Sequence, residues 1–231
     1  MPSLKFSKFI EIWQKDFAYD RTLEEQVCLD KDGYPIPWFT YPAIEYLEQF
    51  DFSDKDIFEY GCGYSSLFWA SRARTVTSVE DMPEWYEKWL NEFTQVGISL
   101  RLRDESEYAN TIREDMKMYD VIIIDGKRRK ECAQAALSRL KTGGLIILDD
   151  SDRTNKSDEY AEAIAMLKQA GLLQVDFYGF CPMDCFTKAT SLFFHRDFNF
   201  QTRAQRQPAN GRGNLWGKTR KKRKEFYKET L

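Results

Sequence analysis

The sequence predicts an α/β chain: a doubly wound, mainly parallel seven-stranded sheet with a terminal antiparallel hairpin and helices on both faces. Three observations predict it. From about residue 53, short apolar runs alternate with longer amphipathic ones, as βα units do. The runs Val121 to Ile124 and Leu145 to Leu148 lack polar alternation, as expected of strands covered on both sides. After Gly171, two β-rich runs are joined by a connection too short for a parallel crossover.

Taken in order, the first fifty residues read as helices. Leu4, Phe6, Phe9, Ile10 and Trp13 form one apolar stripe, and a later helix lies in YPAIEYLEQF. DKDGYPIPW between them is a turn-rich connector. Strands are expected at 56–60 (DIFEY), 75–80 (TVTSVE), 98–103 (ISLRLR), 119–125 (YDVIIID) and 143–150 (GGLIILDD). Helices are expected near 65–73, 83–95, 104–115, 127–140 and 157–170. Pro83 suits a first helical turn, and Trp85, Trp89 and Phe93 read as core contacts of that helix. Gly143-Gly144 and Gly171 are expected to punctuate helix ends. The hairpin comprises LLQVDFYGF (172–180) and KATSLFFH (188–195), one strand of which must run backwards. This gives a helical cap over residues 1–52, a Rossmann-like domain over 53–197 and a basic tail over 198–231.

A chain of 231 residues suits one well-buried core. No stretch approaches the roughly 18 apolar residues of a membrane helix, and the charged opening MPSLKFSKFIEIWQKD lacks the apolar centre of a signal peptide. A cytoplasmic location is the resulting expectation, with no membrane partner. The five cysteines show no disulfide or zinc spacing, so no metal is expected at Cys181 and Cys185. Residues 195–231 carry eleven Lys/Arg against three Asp/Glu, a net of +8, so the formal charge of −3 leaves −11 on residues 1–194.

The informative segment is IFEYGCGYSS, residues 57–66. An apolar strand ends in an acid and passes at once into a turn with two glycines. Gly61 and Gly63 let the backbone bend sharply and a ligand lie against it, while the following helix, opening on Ser65 and Ser66, aims free N–H groups at the ligand. Twenty-one residues after Glu59 the next strand ends in Glu80, where a carboxylate can accept hydrogen bonds from both hydroxyls of a ribose. A dinucleotide oxidoreductase shares this pairing. Two features speak against it: Ser66 replaces the third glycine, and a carboxylate at Glu59 repels pyrophosphate while suiting the cationic amine of a methionine moiety.

In this order EYGCGYSS, Glu80, YDVIIIDG and LKTGGLIILDD resemble the motifs of class I methyltransferases, which use S-adenosylmethionine (SAM). The resemblance covers roughly residues 40–195, the hairpin matching that family's reversed last strand. It implies SAM as cofactor, with Glu59 near the methionine amine, Gly61 and Gly63 against the cofactor backbone and Glu80 on the ribose. Asp81 or Met82 would lie beside the ribose or adenine, Asp104 to Ser106 near the adenine, and Asp125 by the methionine end.

Ligands of open α/β sheets bind beyond the carboxyl ends of the strands. Asp125, Asp149, Asp150 and the loop 181–187 should share that edge. His195, about 23 Å from the start of its strand at roughly 3.3 Å per residue, should lie at the opposite edge and is not read as a base. Asp125 or Asp149 is therefore the expected proton acceptor. Asp125, Asp149 and Asp150 also resemble the acids of metal-dependent catechol-type O-methyltransferases, which suit Mg²⁺. Asp150 departs from that pattern, which prefers Asn, and Lys127, Arg128, Arg129 and Arg153 could neutralise the acids instead, so a divalent cation is the lesser reading. DGKRRKEC (125–132) is a second candidate contact, for an anionic acceptor. The expected partner is a small-molecule acceptor, methylated on oxygen. The alternatives are an RNA substrate held by the basic run GKTRKKRKEF (217–226), which the acidic body opposes, aminopropyl transfer, and a scaffold that binds SAM without catalysis.

Overall fold

The computed structural model describes residues 4–214; the basic run 217–226 lies outside the described residues. Three helices come first, α1 (Leu4–Lys15), α2 (Tyr19–Glu25) and α3 (Tyr41–Leu47), followed by an alternating set. This set is β1 (Asp56–Tyr60), α4 (Tyr64–Ala70), β2 (Thr75–Glu80), α5 (Pro83–Val96), β3 (Ser99–Leu102), α6 (Glu105–Tyr108), β4 (Tyr119–Ile124), α7 (Arg129–Leu137), β5 (Leu140–Leu148), α8 (Asp158–Gln169), β6 (Leu173–Phe180) and β7 (Thr187–Phe194). The strands form one seven-stranded sheet in the order β3-β2-β1-β4-β5-β7-β6. β7 runs antiparallel to both β5 and β6, and the other neighbouring pairs are parallel. The chain therefore reverses direction in the sheet between β1 and β4, where a crevice opens beyond the carboxyl ends of the strands.

Strand alternation divides the core between the two faces. Ile57, Val121, Ile123, Leu145, Ile147 and Leu192 face α3, α4 and α5. Phe58, Tyr60, Ile122, Ile124, Ile146, Leu148 and Phe193 face α6, α7 and α8. Helices on both sides explain why β4 and β5 are apolar without alternation. Among the described residues, no helix is long and apolar enough to cross a membrane.

Three readings are corrected. Gly143 and Gly144 do not end a helix: α7 stops at Leu137, and the pair lies inside β5. A β-carbon on Gly144 would meet the Asp120 carbonyl oxygen at 2.8 Å, so close approach of β4 is what that glycine permits. The helix expected over 104–115 is only α6 followed by a 3₁₀ turn at Thr111–Arg113, because the Asp104 carboxylate caps one short turn. The stripe expected on α1 is not a buried one: Phe6, Phe9 and Ile10 are exposed, while Trp13 packs on Phe17, Tyr19, Tyr41 and Phe180. Trp85, as expected, packs against the core beside the buried Trp89 and Phe93, and its half-buried ring also lines the crevice.

The segment following β7 returns across the body. Phe198 and Phe200 pack on Phe50, Phe52 and Phe194, and Arg212 pairs with Glu48 at 2.9 Å.

Candidate active site

A cleft of about 480 Å³ opens at the carboxyl edge of the sheet, within the range of small-molecule sites. One half is lined by Gly61, Cys62, Glu80, Asp81, Met82, Trp85 and Gly126, the other by Trp38, Asp125, Asp149, Asp150, Arg153, Asp184, Phe186 and Lys188.

The first half is built on the bend after β1. Gly61 adopts φ +93°, and a β-carbon there would stand 2.8 Å from the Asp125 carbonyl oxygen. The bend therefore depends on glycine both for its left-handed backbone and for the closeness of β1 to β4. Gly126 plays the matching part on the other strand, since a side chain there would overlap the buried Tyr108 hydroxyl. The Trp85 indole N–H donates to the Cys62 carbonyl at 2.7 Å and braces the turn from α5.

Two carboxylates flank the bend. Glu80 Oε1 accepts the backbone N–H groups of Asp81 and Met82 at 2.9 and 3.0 Å, and Cys62 Sγ lies 3.5 Å from Oε2. One oxygen is thus anchored to backbone while the residue lines the cleft. Glu59 is buried on the face that packs α4: its Oε2 accepts from Ser66 Oγ and, at 3.1 Å, from Ser78 Oγ. Its Oε1 is buried without a hydrogen-bond partner among the described residues. Burial, reinforced by the nearby Glu80 and opposed by the serine hydroxyls, pushes the Glu59 carboxyl up to about 7. A desolvated acceptor of this kind costs about 1–3 kcal/mol unless a donor meets it.

In the second half, Asp125, Asp149 and Asp150 meet three cations, Lys188, Arg129 and Arg153. Asp149 Oδ2 accepts from Lys188 Nζ at 2.5 Å and Oδ1 from Thr190 Oγ1 at 2.5 Å, so both oxygens are engaged. Lys188 Nζ also lies 3.3 Å from Asp150 Oδ1, which Arg153 approaches at 3.0 Å. Arg129, buried at the start of α7, donates to the carbonyls of Ile124 and Asp149 at 2.5 and 2.9 Å and lies 3.3 Å from Asp125 Oδ1. The Asp125 side chain remains 24% exposed, whereas that of Asp149 is 1% exposed. Burial and the Asp149 carboxylate raise the Asp125 carboxyl to about 8 against the pull of Arg129 and Lys188. Burial would lower the Lys188 ammonium, but Asp149, Asp150 and Asp125 carry it above its ordinary value.

Among the expected site residues, Gly61, Glu80, Asp81, Asp125 and Asp149 line one cleft. Glu59, Ser65 and Ser66 lie buried beneath its turn, and Gly63 opens α4 there. Ser106 lies apart, its hydroxyl donating to Asp104 at 2.6 Å in the cap of α6. The loop after β6 contributes Asp184 and Phe186, while the His195 N–H bonds the carbonyl of Gly144 in the middle of β5, five residues before Asp149 and away from the cleft. Within the basic cluster only Arg129 and Arg153 reach the three acids: Lys127 pairs with Asp81 at 2.7 Å, and Arg128 turns to Glu105 and Glu131. Asp184 and Phe186 belong to the loop 181–187 expected at this edge and Gly126 to the segment 125–132, whereas Lys188 and Trp38 were not singled out from the sequence. For Lys188 a signal existed, a lone charge near the start of a strand otherwise made of small, hydroxyl and apolar residues.

The carboxylates of Asp125, Asp149 and Asp150 bring ligand oxygens within 4.8 Å of one another. That spacing would suit a hard divalent cation. The same oxygens already meet the Lys188 ammonium and two guanidiniums, so a dication would be brought against fixed positive charge. The donor set as folded does not fit a metal.

No family model matches the chain, and no curated protein matches its sequence. Solved structures match its fold. Precorrin-6y C5,15-methyltransferase from Geobacter metallireducens is 14% identical, with a TM-score of 0.54 over 74% of this chain and 95% of that one. The O-methyltransferase TomG from Streptomyces achromogenes, involved in tomaymycin synthesis and solved with SAM, is 15% identical, with a TM-score of 0.50 over 67% of this chain and 77% of that one. The seven-stranded sheet with its reversed β7 is the Rossmann-like fold of class I SAM-dependent methyltransferases.

Proposed function

We propose that this chain is a SAM-dependent methyltransferase that moves a methyl group to a hydroxyl of a small-molecule acceptor. The observation that carries the reading is the pair of carboxylates around the bare bend at Gly61. Glu80 is anchored through one oxygen, and Glu59 retains a buried acceptor without a partner. A ribose diol on Glu80 and a cationic amine donating to Glu59 supply the missing partners, whereas a pyrophosphate against these acids would be repelled. The cap 1–52, the domain 53–197 and the tail 198–231 remain our division of the chain.

Bound SAM would supply an electrophilic methyl on a sulfonium. The chain's own residues position the acceptor oxygen and take one proton. Asp125, partly exposed on the cleft floor, is the base in this reading. Asp149, with both oxygens engaged, positions Lys188 and touches no reacting atom. The rings of Trp38 and Phe186, in the half of the cleft away from the glycine bend, suit an organic acceptor of modest size more than a polyanion.

Calorimetric titration checks the cofactor. S-adenosylhomocysteine (SAH) should bind and NADH should not, and Glu80→Gln should weaken SAH by roughly tenfold or more, the value of a charge-assisted hydrogen bond. Binding of NADH alone would refute the proposal.

A further inference from the structure

The acid cluster at the ends of β4 and β5 carries its own cation. Lys188 enters from the start of the reversed strand β7, and its side chain is 8% exposed. Its ammonium touches two carboxylates, Asp149 Oδ2 at 2.5 Å and Asp150 Oδ1 at 3.3 Å, and lies 5.6 Å from the centre of the Trp38 ring. Trp38 is itself fixed by its indole N–H, which donates to Asp184 Oδ2 at 2.9 Å. Phe186, 55% exposed, is a further aromatic ring of the cleft. A buried lysine usually costs stability unless paired. Here the pairing partners are acids whose spacing would otherwise suit a dication, and the lysine lines the cleft.

We propose that Lys188 is the resident cation of the acceptor subsite, standing in the place of a divalent metal and receiving the acceptor oxygen as a phenolate between Trp38 and Phe186. The inference rests on the methyltransferase reading. The reaction balances without a further reactant. Asp125 takes the phenolic proton, and the resulting oxyanion pairs with Lys188. An oxygen electron pair then forms the O–CH₃ bond as the S–CH₃ bond breaks, its electrons staying on sulfur in neutral SAH. The proton on Asp125 passes to solvent.

The test uses the full chain saturated with SAH and two probes, Mn²⁺ followed by water-proton relaxation and 4-nitrophenol followed by absorbance. Wild type should take up no Mn²⁺ in the sub-millimolar range and should bind 4-nitrophenol as the phenolate, its apparent pKa lowered by about one unit or more. Lys188→Ala should retain SAH affinity within about threefold, lose the nitrophenol shift and gain Mn²⁺ binding by at least about tenfold, because the acids are then unpaired. Tight Mn²⁺ binding to wild type overturns the proposal, as does 4-nitrophenol that binds only as the neutral phenol or fails to bind. These wild-type arms decide the matter even if Lys188→Ala does not fold. Absence of SAH binding to wild type instead strikes the methyltransferase reading, while the Mn²⁺ arm, repeated without SAH, still reports whether Lys188 excludes a dication.

Discussion

Gly61→Val is expected to lose SAH binding by roughly a hundredfold or more and to destabilise the chain by about 2–3 kcal/mol, the scale of an overpacked, left-handed site. The added β-carbon would fall 2.8 Å from the Asp125 carbonyl oxygen and 3.2 Å from its carbon, both of them backbone atoms that no side-chain rotation can move. Relief requires parting β1 from β4, which moves Glu59 and Asp125 together. Gly63→Val is the internal comparison. There the nearest atom to a new β-carbon is the edge of the Trp85 ring at 3.9 Å, so the valine meets no backbone of β4, and its cost is confined to a backbone of φ +159° that side chains rarely adopt. Thermal melts with SAH titrations separate the two: both variants should fail in the titration, and Gly61→Val should melt lower than Gly63→Val because only it collides with the β4 backbone. Normal SAH affinity in Gly61→Val would remove the bend from the site.

Asp125→Asn should lower turnover by about 10²–10⁴-fold, the contribution of a positioned base, with SAH affinity changed only a few-fold. Burial and Asp149 hold the Asp125 carboxyl high, at about 8. A raised acid is ionised only above that value, so activity should rise as pH increases through about 8 and level off beyond it. In Asp125→Asn that limb should vanish. The measurement is transfer of labelled methyl from SAM to a panel of small phenols across pH. Full activity in the asparagine variant would transfer the role of base elsewhere.

Much of this frame was legible in the residues. The bounds of β1 and β2 follow directly from DIFEY and TVTSVE, because each is a short buried run cut off by a turn. That β6 and β7 run in opposite directions was legible because the segment joining them is too short to cross over. β5 was not fully legible: its two glycines read as punctuation, although they allow the strand to begin at Leu140 against a neighbouring backbone. The carboxylates of the site were readable because the sheet edge collects whatever ends each parallel strand. Lys188 and Trp38 were hidden for the opposite reason. Their partners Asp149 and Asp184 lie 39 and 146 residues away in the chain, and only tertiary structure joins them. Ser106 shows the limit of motif order, since its hydroxyl serves a helix cap.

A crystal structure of the full chain with SAH tests the central claim most directly. The ribose hydroxyls should lie on Glu80, the amine of the homocysteine moiety within hydrogen-bond reach of Glu59 Oε1, and the sulfur should be directed toward Asp125 and Lys188. SAH seated elsewhere, with both glutamates untouched, would contradict it.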